Sequence, residues 1–141
     1  MDTRTDPLPW QPGFELGIAD VDLQHHFFAN LINRLAHDLP RTVEAAQRGA
    51  LLQELAAYAR FHFISEENLM ARAGYPALDV HRRHHNRLID ELSARLTRLA
   101  VKGGPQDADE VLAFLVQWFM GHTQHEDRDF AGFLASRPHD G

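Results

Sequence analysis

The sequence predicts an all-α protein: an up-down-up-down antiparallel four-helix bundle with an extended N-terminal arm. Apolar residues recur at spacings of three and four along four segments, proline or glycine ends the first three segments, and the alternation typical of strands does not occur. Short connections between long amphipathic helices favour antiparallel neighbours. We therefore divide the chain into an arm at residues 1–19, a bundle at residues 20–135 and a flexible C-terminal tail at residues 136–141.

The first two predicted helices span residues 20–39 and 42–73. Pro40 separates them, and Gly74 ends the second. Each helix carries one stripe of apolar side chains that we expect to be buried. These side chains are Phe28, Leu31, Ile32, Leu35 and Leu39 in the first helix, and Leu51, Leu55, Tyr58, Leu69 and Met70 in the second.

The third and fourth predicted helices lie on either side of the Gly-Gly-Pro run at residues 103–105. The third spans residues 78–101. The fourth begins at Asp107, because Asp107 and Glu110 have the spacing of a capping box. Their apolar stripes consist of Leu88, Leu92, Leu96 and Leu99, and of Val111, Leu115, Trp118 and Phe119.

Composition narrows the class of protein. The chain of 141 residues is long enough for one domain with its own core, and the absence of cysteine excludes disulfides, thiolate metal sites and iron–sulfur clusters. A net charge of −6 without a basic patch argues against nucleic-acid binding. No apolar run approaches the roughly 18 residues of a membrane span, and residues 1–14 do not have the pattern of a secretory signal. We expect a soluble, cytoplasmic monomer.

Histidine is the residue that departs from ordinary composition, with ten in the chain. Several histidines and one carboxylate, Glu66, lie in phase with the apolar stripes: His25 lies three residues before Phe28, and His122 lies four after Trp118. Burying such groups without partners would cost ~2–7 kcal/mol each, a cost that a bound metal removes. The seven candidate metal ligands are His25, His62, Glu66, His81, His85, His122 and Asp127.

Asp127 does not fit a regular helix. It lies five residues after His122, which corresponds to about 140° around an ideal α-helix. Both side chains can face one metal only if the helix is locally wider, as in a π-helical turn, and such turns gather at functional sites. We therefore predict a π-helical turn between His122 and Asp127.

The other histidines and one acidic residue are predicted to be solvated. His26, His37, His84 and His139 are out of phase with the stripes or close to the C-terminus. Glu67 follows Glu66 directly, so it points to a different side of the helix and is predicted to be a surface charge. None of these residues is a candidate ligand.

The ligand set indicates two iron ions rather than one zinc ion. A structural zinc ion takes four ligands, fewer than the seven candidates, whereas imidazole and carboxylate suit iron. Seven ligands serve two ions if both carboxylates bridge them, which leaves positions for an oxo or hydroxo bridge and for one small molecule. The paired Glu-x-x-His motif of ferritin-like carboxylate sites is absent, which argues against iron storage and monooxygenation.

Several short motifs carry the candidate ligands and their neighbours: Asp22-Leu23-Gln24-His25, the run HFISEE at 62–67, Gly74-Tyr75-Pro76 followed by His81 and His85, and Trp118 followed by His122 and Asp127. Together with Trp10 and the run FELGI at 14–18, they resemble the hemerythrins, specifically the bacterial single-domain branch. The resemblance covers nearly the whole chain. It implies the following ligands: His81, His85 and His122 for one iron, His25 and His62 for the other, and Glu66 and Asp127 as bridges.

The resemblance implies reversible binding of dioxygen at the open position of the second iron, with no catalytic residue and no enzymatic activity. It also implies an oxygen pocket, to which we assign Trp118, Phe119 and His125. Phe119 stands where the family usually has a smaller aliphatic residue. His125 is polar where an apolar wall is expected, so it faces either the solvent or the bound oxygen.

Two classes of function remain open. The first is a binding protein for storage, delivery or sensing of oxygen. The second is a di-iron enzyme that acts on peroxide or nitric oxide, or a repair protein that donates iron. We favour binding, because no general acid or base beyond the ligands and His125 is evident near the predicted site.

Overall fold

The structure is a computed structural model that describes residues 7–102 and 105–137, with side chains of residues 100–108 outside the description. The predicted capping box at Asp107 lies among these residues. Within the described residues every regular element is helical and none is a strand, so the prediction of an all-α fold is confirmed. The elements are a 3₁₀ turn Pro12–Phe14, α1 Ala19–Asp38, a 3₁₀ turn Leu39–Arg41, α2 Ala45–Ala73, α3 Leu78–Lys102, α4 Pro105–His122, a π-helical turn Thr123–Asp127 and α5 Arg128–Ser136.

Helix boundaries follow the proline and glycine signals closely. Gly74 has φ 69° and ends α2 in the left-handed conformation, and its N–H donates to the carbonyls of Met70 and Ala71. The start of α2 lies three residues later than predicted. A 3₁₀ turn containing Pro40 comes first, and the carbonyl of Thr42 accepts a hydrogen bond from buried Arg48 instead of entering the helix.

The helices pack around one core. α2 contacts both α1 and α3, and α4 contacts both α1 and α3. Along α1 and α2, Gln24 bonds to Ser65 while Arg34 bonds to Glu54, so the paired positions progress in opposite directions. This is the sense expected of antiparallel neighbours, and the complete up-down-up-down order stays a prediction. No described helix is long and apolar enough to cross a membrane.

The arm before α1 packs on the end of the bundle that holds the candidate ligands. Leu8 is buried, and its backbone N–H and carbonyl both bond to the side chain of Asn33 at 2.8 Å. Phe14 is also buried, with its ring 5.5 Å from that of Phe119. At the end of the arm, the Asp22 carboxylate accepts hydrogen bonds from two backbone N–H groups, those of residues 16 and 17. The domain boundaries at 19 and 135 stay predictions.

Candidate metal centre

The structure brings all seven candidate ligands together in the interior. None of them is more than 5 % exposed, although histidine, glutamate and aspartate usually keep some contact with water. Each of α1, α2, α3 and α4 contributes at least one of them, and the end of the π-helical turn contributes the last. They are His25, His62, Glu66, His81, His85, His122 and Asp127.

The histidines form two groups. His81, His85 and His122 make up what we call the three-histidine group, in which the Nε2 atom of His122 lies 3.0 Å from that of His81 and 3.2 Å from that of His85. His25 and His62 make up the two-histidine group, with their Nε2 atoms 3.1 Å apart. All five rings therefore direct Nε2 towards the centre of the bundle.

The two carboxylates lie between the groups. Glu66 places Oε1 2.7 Å from Nε2 of His81 and Oε2 3.5 Å from Nε2 of His62. Asp127 places Oδ1 3.0 Å from His81 and Oδ2 3.3 Å from His25. Each carboxylate thus directs one oxygen to each histidine group, which is the arrangement required of a ligand that bridges two cations.

The predicted π-helical turn is confirmed. Thr123–Asp127 forms the turn between α4 and α5, and it carries Asp127 onto the side of the helix that holds His122. The Asp127 Oδ1 atom lies 3.0 Å from Nε2 of His122 as a result. A regular α-helix would separate the two side chains by about 140°.

Two outer hydrogen bonds fix the ring orientation of one histidine in each group. Nδ1 of His62 lies 2.7 Å from Oε1 of Gln24, and Gln24 uses its amide nitrogen for Ser65, so the His62 N–H donates. Nδ1 of His85 lies 2.9 Å from Oε2 of Glu67, an atom that can only accept. In their neutral forms, both rings therefore present Nε2 with a free lone pair to the centre.

Glu67 corrects a prediction. Its side chain is only 16 % exposed and faces α3, where it accepts from His85 and from Arg82. The prediction of a surface charge pointing away from the site is wrong, because α2 packs on both α1 and α3 and so buries a wider arc than one stripe. Sequence reasoning also missed Gln24, and the only signal for it was its position directly before a candidate ligand.

The donor set fits divalent or trivalent cations. The Nε2 atom of His122 faces those of His81 and His85 at 3.0–3.2 Å, a distance that suits a shared proton or cation and not two bare acceptors. Among the described residues, Oε2 of Glu66 and Oδ2 of Asp127 are buried and have no hydrogen-bond partner. Unpaired buried carboxylate oxygens are costly, and a cation beside each one would satisfy them. Imidazole with carboxylate is a donor set typical of iron.

The charge distribution shows what a cation would replace. Burial disfavours a charge on His122, yet the facing carboxylate of Asp127 raises the pKa of His122 to about 10. Burial likewise opposes ionisation of Asp127, but His122 holds the pKa of this carboxyl well below its usual range. Burial lowers the pKa of His62 to about 4. Without metal, a proton on His122 therefore stabilises the facing carboxylate of Asp127, and metal binding would release it.

Aromatic rings enclose the two groups on different sides. Phe119 is 2 % exposed, and its ring lies 5.3 Å from that of His25 and 5.7 Å from that of Phe28. Trp118 instead stacks on His122, with centroids 4.4 Å apart and an interplanar angle of 14°. Of the predicted pocket residues, Phe119 thus lies against the two-histidine group and Trp118 against the three-histidine group.

His125 lies on the surface. It is exposed and lines an open cavity of about 330 Å³ together with the partly exposed residues His84 and Glu126. This is the solvent-facing alternative, and it argues against the assignment of His125 to the oxygen pocket. His26 and His37 are also partly exposed, as predicted, whereas His139 lies outside the described residues.

Comparison with known proteins gives a consistent family assignment. The family model of the hemerythrin HHE cation binding domain matches residues 16–134. A bacteriohemerythrin of Stenotrophomonas maltophilia is 32% identical over 124 residues, which are 88% of this chain and 79% of that protein. A bacteriohemerythrin of Pseudomonas aeruginosa is 32% identical over 94% of this chain and 82% of its own length. One from Clostridium acetobutylicum is 29% identical over 86% of this chain and 96% of its own length. The chain belongs to the hemerythrin family.

Proposed function

We propose that this protein binds dioxygen reversibly at a centre of two iron ions joined by an oxo or hydroxo bridge. The observation that carries the proposal is the position of the two carboxylates, Glu66 and Asp127, each with one oxygen directed to each histidine group. When bound by these residues, the iron pair would supply the electrons for reversible binding of dioxygen. The relatives named bacteriohemerythrin support this function.

The unequal ligand groups favour binding of the small molecule on one side. His81, His85 and His122 with both carboxylates offer five donor atoms within reach of one cation, whereas the second compact set consists of His25, His62 and Glu66. The two-histidine group would therefore hold the iron with the open coordination position. Dioxygen would bind on that side, next to Phe119.

The surroundings of the two-histidine group suit binding better than turnover. The rings of Phe14, Phe28 and Phe119 pack together there and are at most 2 % exposed. They exclude water and contribute no proton donor or acceptor, so they give little help to a reaction that needs protons. We therefore assign storage, delivery or sensing of oxygen in preference to an enzymatic role, and the monomeric state and cytoplasmic location stay predictions.

The test is the absorption spectrum of the reduced, iron-loaded protein before oxygen is admitted, after it is admitted and after it is removed. We expect a visible band that appears with oxygen and disappears without it. A band that never forms would contradict the proposal. A band that decays at once while added peroxide or nitric oxide is consumed would favour the enzyme alternative.

Two histidine variants make the test specific for the site. His62→Ala removes one of the two histidines on the oxygen-binding side, and we expect loss of the reversible band. His125→Ala is the matched control, because it removes a histidine by the same substitution but at an exposed position. We expect this variant to retain the band. Iron content is measured in both variants, and loss of the band in the control would contradict the assignment of the site.

A further inference from the structure

The outer hydrogen bonds of the two histidine groups differ in charge. In the three-histidine group, His85 donates from Nδ1 to the carboxylate of Glu67 at 2.9 Å. In the two-histidine group, His62 donates from Nδ1 to the neutral amide of Gln24 at 2.7 Å. The geometry is similar on both sides, but one partner is an anion and the other is not.

Glu67 holds His85 in a fixed orientation. Glu66 and Glu67 are consecutive in α2 and contact the two sides of the His85 ring, with Glu66 Oε1 3.3 Å from Nε2 and Glu67 Oε2 2.9 Å from Nδ1. The ring also stacks on Phe63 at 4.0 Å and an angle of 8°. Arg82 donates to the other oxygen of Glu67 at 3.2 Å, an exposed contact that adds little to the position of that carboxylate.

Gln24 holds His62 in a comparable network of neutral groups. Its amide nitrogen donates to Oγ of Ser65 at 2.9 Å, which orients Oε1 towards the histidine. The hydroxyl of Tyr58 donates to the backbone carbonyl of Gln24 at 3.0 Å. The groups that orient the His62 ring in this network are therefore uncharged.

We infer that Glu67 and Gln24 are positioning residues that make the two metal positions unequal, so that the three-histidine group fills first. A carboxylate behind a histidine makes the ring a stronger ligand than a neutral amide does, because the charge-assisted hydrogen bond stabilises positive charge on the ring. The three-histidine group also offers more donor atoms. This inference rests on the proposed two-metal centre but not on oxygen binding.

The experiment is a titration of the metal-free protein with Co²⁺ in the absence of oxygen. Calorimetry measures the affinity of each binding step, and fluorescence shows which group is filled. Trp118 stacks on His122, so its fluorescence reports filling of the three-histidine group. The chain has two tryptophans, and Trp10→Phe is introduced into every variant so that Trp118 is the only tryptophan that emits. We expect two binding steps, with quenching of Trp118 complete in the first.

Substitutions of the outer partners should affect one step each. Glu67→Gln keeps an acceptor for His85 but removes the charge, and we expect the first step to weaken by about 10–100-fold with the second nearly unchanged. Glu67→Ala should weaken it further. Gln24→Ala should weaken the second step alone, and Gln24→Glu should strengthen it.

Arg82→Ala is the matched control, because it removes a contact of Glu67 on the exposed side while the bond from His85 to Glu67 remains. We expect normal affinities in both steps. The inference would be overturned if Glu67→Gln weakened both binding steps equally or left both affinities unchanged. It would also be overturned if Arg82→Ala weakened the first step as much as Glu67→Gln does. If the steps behave as expected and the iron-loaded protein fails to bind oxygen, the proposed function fails and this inference stands.

Discussion

Phe119→Leu tests whether this ring controls access of oxygen to the two-histidine group. Phe119 is 2 % exposed and its ring lies 5.3 Å from that of His25, 5.5 Å from that of Phe14 and 5.7 Å from that of Phe28. Replacement of a buried phenylalanine by alanine costs ~3–5 kcal/mol. Leucine keeps more than half of the side-chain carbons, so we expect Phe119→Leu to lower the free energy of unfolding by an amount on the order of 1–2 kcal/mol.

The space left by the smaller side chain opens beside His25, where we propose that oxygen enters. We expect the rate constants for oxygen association and dissociation both to rise, and oxidation of the oxygen complex to become faster because water enters as well. Stopped-flow mixing and flash photolysis measure the oxygen rates, and the absorption spectrum followed over time measures the oxidation. Thermal unfolding measures the stability loss, at about 2–4 °C for each kcal/mol.

Phe130→Leu is the matched control for this prediction. Phe130 is 1 % exposed, and its ring lies 4.9 Å from that of Tyr75. Within residues 7–102 and 105–137, it contacts no histidine ring. The control should lose a similar amount of stability with unchanged oxygen kinetics. If Phe119→Leu has the same kinetics as this control, the ring does not limit access and the assigned pocket is wrong.

Three further predictions concern the arm, the surface and the protons of the centre. Asn33→Ala removes both hydrogen bonds to the backbone of Leu8. We expect a stability loss of about 1–3 kcal/mol and faster oxidation of the oxygen complex. An unchanged oxidation rate would show that the arm does not protect the site. His125→Leu changes an exposed residue, so the oxidation rate of the oxygen complex should stay constant. A changed rate would show that His125 belongs to the oxygen pocket. For His122, the pKa is raised from 6.5 to about 10 in the metal-free fold, so its contribution to stability is complete below pH 6.5 and is lost as the pH rises to about 10. Metal-loaded protein should lack this loss because the cation replaces the proton, and equal pH slopes in thermal unfolding of the two forms would contradict this account.

The placement of the ligands could be predicted because each one follows a rule that is local in sequence. A histidine in phase with an apolar stripe enters the core with that stripe, as His25 does with Phe28. The irregular step at Asp127 could be predicted for the same reason. A five-residue spacing conflicts with the α-helical period, and only a wider turn brings Asp127 and His122 to one side.

Contacts between distant segments could not be predicted from these local rules. The arm meets the π-helical turn and α4 across more than a hundred residues of sequence, through the carbonyl of Gly13, which accepts from Gln124 at 3.3 Å, and through the ring of Phe14 on Phe119. No periodicity links these positions. The orientation of His125 also depends on the exact geometry of the π-helical turn, so the sequence left two alternatives open.

The error at Glu67 has a physical cause that bears on other helices of this kind. The prediction assigned α2 a single buried stripe, so that a residue about 100° away from Glu66 would meet water. A bundle helix that packs on two neighbours buries a wider arc than one stripe, and in α2 the residue after the inward ligand Glu66 faces the second neighbour. In α2 that neighbour is α3, which carries His85, so consecutive carboxylates reach the inner and outer nitrogens of one ring. Wherever two acids follow each other on such a helix, the second is therefore a candidate for the outer partner of a metal-binding histidine.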